Sequence, residues 1–222
     1  MPQRPHLNSM LSKVSADQFI QPQALQSAGV QQNMGVMLVP LGLEHLAGVI
    51  EAASDGKLWQ LRFTSVPEPE STQSYIENAL AGRANGDRFH FAVIESDSGK
   101  LIGCTSYHDI LPNARRLDIG WTWYAKRVQR THVNTSCKCL LMAHAFDRLD
   151  CLTVGWRTSN VNFASQKAIE RLGAKKDGVI RGNVLGCDGS IRDTVMYSVS
   201  QQEWRMGIRA HMFWLLRQQA NG

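Results

Sequence analysis

The sequence predicts one α/β domain of the mixed α+β kind, with helices on both faces of a mixed sheet. Three observations predict it. Hydrophobic patterning switches between strand-like alternation and helical spacing in the order β-α-α-β-β-β-α-β-α-β-β. Three of the strands follow one another with only turns between them, as a hairpin meander does. A chain of 222 residues, 43% apolar and 19% charged, suffices for a single full core, and it shows no internal repeat.

Each element has its own signal. Residues 35–41 read as a first strand ended by Pro40, and residues 43–53 carry Leu43, Leu46, Ala47 and Ile50 at helical spacing. The stretch "DGKLWQLRFTSVPEPE" is a loop, and residues 71–82 are a second helix with Thr72, Tyr75, Ile76 and Leu80 on one side. Strands over residues 89–95, 101–110 and 117–124 are separated by the turns "SDSGK" and "LPNAR". In the third of them, alternation puts Leu117, Ile119, Trp121 and Trp123 on one face and Asp118, Gly120, Thr122 and Tyr124 on the other. A helix is expected over residues 132–149, a strand over 151–157, and a helix over 162–172 closed by Gly173. Two late strands, residues 175–185 and 192–199, flank the turn "GCDGS". Residues 201–218 are helical, with Trp204, Ile208, Met212 and Leu215 on one side, packed on the domain or on a partner chain such as a second copy in a homodimer. Residues 1–20 are polar and aperiodic, which predicts an extension outside the fold, with Met10 and Met34 as alternative starts. The expected division is therefore extension 1–20, domain 21–200 and terminal helix 201–222.

The net charge of +5 and the pI of about 9.1 favour anionic partners such as nucleotides or CoA-like phosphates. No run of five basic residues occurs, which argues against a nucleic-acid tail. The five cysteines, Cys104, Cys137, Cys139, Cys151 and Cys187, are odd in number and lack CxxC spacing. A disulfide framework or a zinc site is not expected, and a reduced cytoplasmic protein is. The seven histidines lack paired ligand spacing, so no metal is expected. No apolar stretch approaches the ~20 residues of a membrane span.

The segment "VQRTHVNTSCKCLL" follows the third meander strand directly. Its second half reads as an amphipathic helix, and its first half contains no acid. A helix start exposes unpaired N–H groups and the positive end of the macrodipole, so one left free of acids is a seat for an anion such as phosphate.

The strand "LDIGWTWY", the link "AKRVQRTHVNT" and the helix after it resemble the acetyl-CoA motif of the GNAT superfamily, Gln/Arg-x-x-Gly-x-Gly/Ala, with His132 and Asn134 at the two glycine places. A second segment, "RTSNVNFASQKAIERLGAKKDGVIR", is similar to the fourth-helix region of the ribosomal-protein N-terminal acetyltransferases (RimJ/RimL-like). The resemblance runs over roughly residues 25–200. It implies a GNAT fold, a mostly antiparallel sheet splayed between two parallel strands. It implies acetyl-CoA as cosubstrate and a primary amine as acceptor, a protein N-terminal α-amine before a small molecule. A non-catalytic acyl-CoA-binding or sensor module stays open as an alternative.

The resemblance also implies residue roles. The pyrophosphate lies over Gln129, Arg130, Thr131, His132, Val133, Asn134 and Thr135, with Arg130 and Lys126 adding charge. The strand of Ile119, Trp121 and Trp123 flanks the pantetheine arm and offers an N–H to the oxyanion. Asn162 holds the pantetheine, and Ser165 serves the leaving sulfur. Asp118 stands where many relatives carry Glu, and is either the base or an ion-pair partner of Arg116. Trp59, Arg62 and Phe63 fall where the family's acceptor lip lies, and His108 is a strand residue that lines the acceptor site or is structural.

Overall fold

The computed structural model describes residues 34–61, 65–186 and 189–220. The expected extension over residues 1–20 lies outside them, as do Arg62, Phe63 and Cys187. The described chain forms a seven-stranded sheet: β1 (Val36–Pro40), β2 (Arg88–Glu95), β3 (Leu101–Leu111), β4 (Arg116–Tyr124), β5 (Thr153–Ser159), β6 (Lys175–Leu185) and β7 (Ile191–Ser200). Its spatial order is β1-β2-β3-β4-β5-β7-β6. Only β4 and β5 run parallel; every other pair is antiparallel. This is the expected mixed, mostly antiparallel sheet.

Helices α1 (Leu46–Ser54) and α2 (Thr72–Ala84) cover one face; α3 (Val133–Ala143), α4 (Phe163–Arg171) and α5 (Arg209–Ala220) cover the other. Two hydrogen bonds between residues far apart in the chain mark the faces. Trp123 Nε1 donates to Tyr75 Oη of α2 at 3.4 Å, and Tyr107 Oη donates to the carbonyl of Leu141 in α3 at 2.7 Å. Of α3, only Asn134 is not buried, because the sheet lies on one side and α5 on the other. The amphipathic pattern expected for this helix is therefore corrected: it is a core helix, and Cys137 and Cys139 are both fully buried although they point to different sides.

After Ala143 the chain makes one π-helical turn, His144–Arg148, against a second, Trp204–Ile208. Phe146 stacks on Trp204 with ring centroids 5.5 Å apart, and Trp204 Nε1 donates to Asp147. The terminal helix thus packs on α3 of its own chain through Trp204 and Met212, both fully buried. Truncating a buried Trp costs about 3–5 kcal/mol. β5 begins two residues later than its pattern predicts, because Asp150 turns left-handed (φ +57°) and the Leu152 N–H is held by the Arg115 carbonyl. No helix among the described residues is long and apolar enough to cross a membrane.

The largest correction concerns β4. Ser106 pairs with Gly120 and Cys104 with Trp123, so Thr105 of β3 stands opposite two residues, Trp121 and Thr122. This is a β-bulge. Trp121 takes φ +51°, a conformation that side chains rarely adopt. Alternation breaks there. Trp123 turns to the α2 face and Tyr124 to the α3 face, the reverse of the clean alternation read from the sequence.

Candidate active site

The bulge bends β4 away from β5. The two strands pair only at Arg116, Leu117 and Asp118, against Thr153, Val154 and Gly155. Beyond Asp118 they diverge, and a cleft of about 1340 Å³ opens between them. A typical small-molecule pocket holds ~300–1,000 Å³, so this space is large enough for two substrates. It passes through the sheet. Ile119, Gly120, Thr122 and Trp156 form its waist, and each mouth opens on one face.

The mouth on the α3 face is built at helix starts. Gln129, Arg130, Thr131 and Asn134 line it, with Asn162, Ser165 and Arg171 of the α4 region opposite. Arg130 has φ +64°, a left-handed turn just before the start of α3, whose first amides have no partner within the helix. Thr131 fixes the turn: its hydroxyl donates to the Val128 carbonyl at 2.7 Å and accepts from the Val133 N–H at 3.3 Å. His132, at the first glycine place of the motif, packs its ring against Gly35, away from the cleft. Val133 and Thr135 are buried, and Thr135 accepts a hydrogen bond from Arg171 at 2.8 Å. Lys126 does not line the cleft.

Asn162 is the N-cap of α4, and its carboxamide oxygen accepts from the Ser165 N–H at 3.1 Å. Both residues line the cleft. Lys138, which no motif marked, sits between the mouths. It is buried, and its ammonium donates to Thr122 Oγ1 at 2.6 Å and to Thr105 Oγ1 at 3.4 Å. Burial pushes its pKa down to about 8. Gln219, near the end of α5, also reaches the cleft and donates to the Thr131 carbonyl.

The other mouth is built from side chains on separate strands: Arg88 of β2, His108 and Asp109 of β3, Trp121 of β4 and Arg157 of β5. The Arg88 guanidinium lies 4.3 Å above the Trp121 ring, and this cation–π contact holds the bulge residue outward. His108 lies against Gly120 so closely that a Cβ at residue 120 would collide with its Nε2. Its Nδ1 is 3.2 Å from Asp109 Oδ2, which also pairs with Arg157.

Some expected residues fall outside the cleft. Asp118 is buried over Gly155 and accepts a hydrogen bond from Arg116 at 3.2 Å, the ion pair that the sequence left open. Burial raises its pKa, against the pull of Arg116. Trp123 points to Tyr75. Trp59 is half-buried against the core, and Arg62 lies outside the described residues. Sequence reasoning missed Arg88, Asp109, Lys138 and Arg157. One signal was available: a glycine inside a strand, Gly120, marks a bulge or a close approach of another group.

Residues 36–175 match the family model for the acetyltransferase (GNAT) domain. Among solved structures, the chain is similar to a GCN5-related N-acetyltransferase from Brucella melitensis, with 27% identity, coverage of 83% of this chain and 84% of that one, and a TM-score of 0.73. A candidate acetyltransferase from T. thermophilus shares 31% identity over 83% of this chain and 95% of that one, with a TM-score of 0.71. Mycobacterium smegmatis RimJ in complex with CoA-disulfide shares the fold, at 15% identity, 81% and 88% coverage, and a TM-score of 0.69. No curated protein matches the chain.

Proposed function

We propose, from the premise that this chain belongs to the GNAT acetyltransferase family and takes its acetyl group from acetyl-CoA, that its acceptor is a protein N-terminal α-amine. The observation that carries the reading is the cleft through the sheet, with a donor-lined mouth on one face and a mouth of both charge signs on the other. The CoA pyrophosphate lies over the amides of residues 130–135 beside Arg130 and Arg171. The pantetheine arm enters between β4 and β5 past Asn162, and the thioester reaches the waist. An amine entering from the other mouth then meets it within one ternary complex. Such placement can supply ~7–11 kcal/mol of a barrier.

The tetrahedral oxyanion is held by a backbone N–H of β4 near the bulge, where β5 has diverged. Ser165 donates a hydrogen bond to the departing sulfur. The start of a peptide presents an ammonium followed by carbonyls. The His108–Asp109 pair suits the first, and Arg88 suits the second. The likeness of residues 129–135 and 162–174 to the RimJ/RimL-like branch supports the same acceptor.

The test is free-thiol release from acetyl-CoA across peptides with free or blocked N-termini and a set of small amines. Turnover confined to free N-termini is expected. Turnover of small amines alone would overturn the acceptor, and CoA binding without release from any amine would favour a sensor module.

A further inference from the structure

An amine arrives at neutral pH as an ammonium and must lose a proton before it attacks. Asp118 is held by Arg116 and lies outside the cleft. His90 is buried between the rings of Tyr75 and Trp121, likewise outside it. Resting on the reading of this chain as an amine acetyltransferase, we infer that His108 is the general base, with Asp109 as its positioning residue. His108 Nε2 lies against Gly120, next to the bulge at Trp121, where the thioester must sit. Nδ1 faces Asp109 Oδ2 at 3.2 Å, which selects the tautomer with the proton on Nδ1 and leaves Nε2 as the acceptor. Asp109 reaches this place by a left-handed backbone, φ +47°, a conformation that costs of order 1–3 kcal/mol, and Arg157 clamps its carboxylate. Glycine at 120 is what lets the ring come so near.

The groups around the ring fix its charge. Arg88 and His90 face it from β2, Asp109 from its own strand, Asp118 from β4, Arg157 from β5 and Lys138 from α3. Burial, then Arg157, Arg88 and Lys138, push its pKa down to about 4, so the resting ring is neutral across the physiological range with Nε2 open to a proton, and transfer from an ammonium is uphill until attack on the thioester carries it forward.

The protons balance. The ammonium gives one proton to Nε2. The free amine attacks the acetyl carbon, the C–N bond forms, and the C–S bond breaks as the tetrahedral species collapses. The second nitrogen proton goes to the CoA thiolate, and His108 returns its own to solvent.

The experiment uses the full chain and whichever acceptor it turns over, peptide or small amine, so failure of the N-terminal reading leaves this test intact. His108→Gln is expected to lower kcat at pH 7 by ~10²-fold, with acetyl-CoA affinity by calorimetry unchanged. The deficit should shrink as pH rises past the ~8 of an α-amine, because the acceptor then deprotonates itself. A merely structural histidine would give a deficit independent of pH. Added imidazole should partly restore His108→Ala. Asp109→Asn, which keeps the left-handed backbone, should lower kcat and shift the tautomer. Nitrogen-15 spectra of the wild-type ring provide a readout that needs no turnover, and the Nδ1–H tautomer is expected. A folded His108→Gln protein within about twofold of wild-type kcat at pH 7, or an Nε2–H ring in the wild type, would overturn the assignment.

Discussion

The two mouths of the cleft are made of different material. The one on the α3 face is mostly backbone: a left-handed turn at Arg130, a threonine that stitches the loop, and two helix starts, with cationic side chains at its edge. The one on the α2 face is mostly side chain, drawn from four strands and carrying both signs. The difference matches what each is proposed to hold. A pyrophosphate needs many donors in one small arc, and contiguous backbone supplies them with little dependence on side-chain identity. A proton-transfer site needs one group at one position with a chosen protonation state, and only side chains supply that.

Gly120→Ala should separate the two mouths most sharply. The added Cβ would displace His108 and leave the α3-face mouth untouched. Misplacement of this order can cost ~10²-fold in turnover, read as kcat with acetyl-CoA affinity measured alongside. Ser165→Ala tests the proposed contact with the departing sulfur. It is expected to lower kcat at or below the ~10²-fold low end of acid–base contributions, again with affinity unchanged. A loss confined to affinity would instead make Ser165 a CoA contact.

Thr131→Asp tests the opposite mouth. Asp keeps an acceptor for the Val133 N–H but sets a negative charge against the phosphates. CoA should bind about tenfold more weakly, the size of a ~1–2 kcal/mol charge effect at a helix start, in a protein that melts normally. Lys138→Met probes the floor between the mouths through stability. The folded pKa of Lys138, about 8, lies below the unfolded value, so the unfolded chain binds more protons between about 8 and ~10.4 and wild-type stability rises with pH there. The Met variant should therefore be more stable by ~1 kcal/mol at pH 7, with the gap closing across that window.

The same contrast explains what the sequence could reveal. The α3-face mouth is local in the chain: Gln129 to Thr135 form one stretch, and Asn162 and Ser165 stand one helical turn apart. Spacing alone brings them out. The α2-face mouth joins Arg88, His108, Trp121 and Arg157, which meet only through strand register. The bulge hides in the same way. Leu117, Ile119, Trp121 and Trp123 alternate cleanly along β4, and the extra residue exists only relative to Ser106 and Cys104 of β3. Gln219 reaches Thr131 from the far end of the chain, a contact that no local pattern encodes.

The proposed cleft through the sheet brings acetyl-CoA and the amine together for direct transfer. Initial rates measured over a grid of both substrate concentrations test it most directly. Direct transfer predicts double-reciprocal lines that intersect, with no acetyl group retained on the protein after acetyl-CoA alone. Parallel lines, with an acetylated protein recovered before any amine is added, would contradict it.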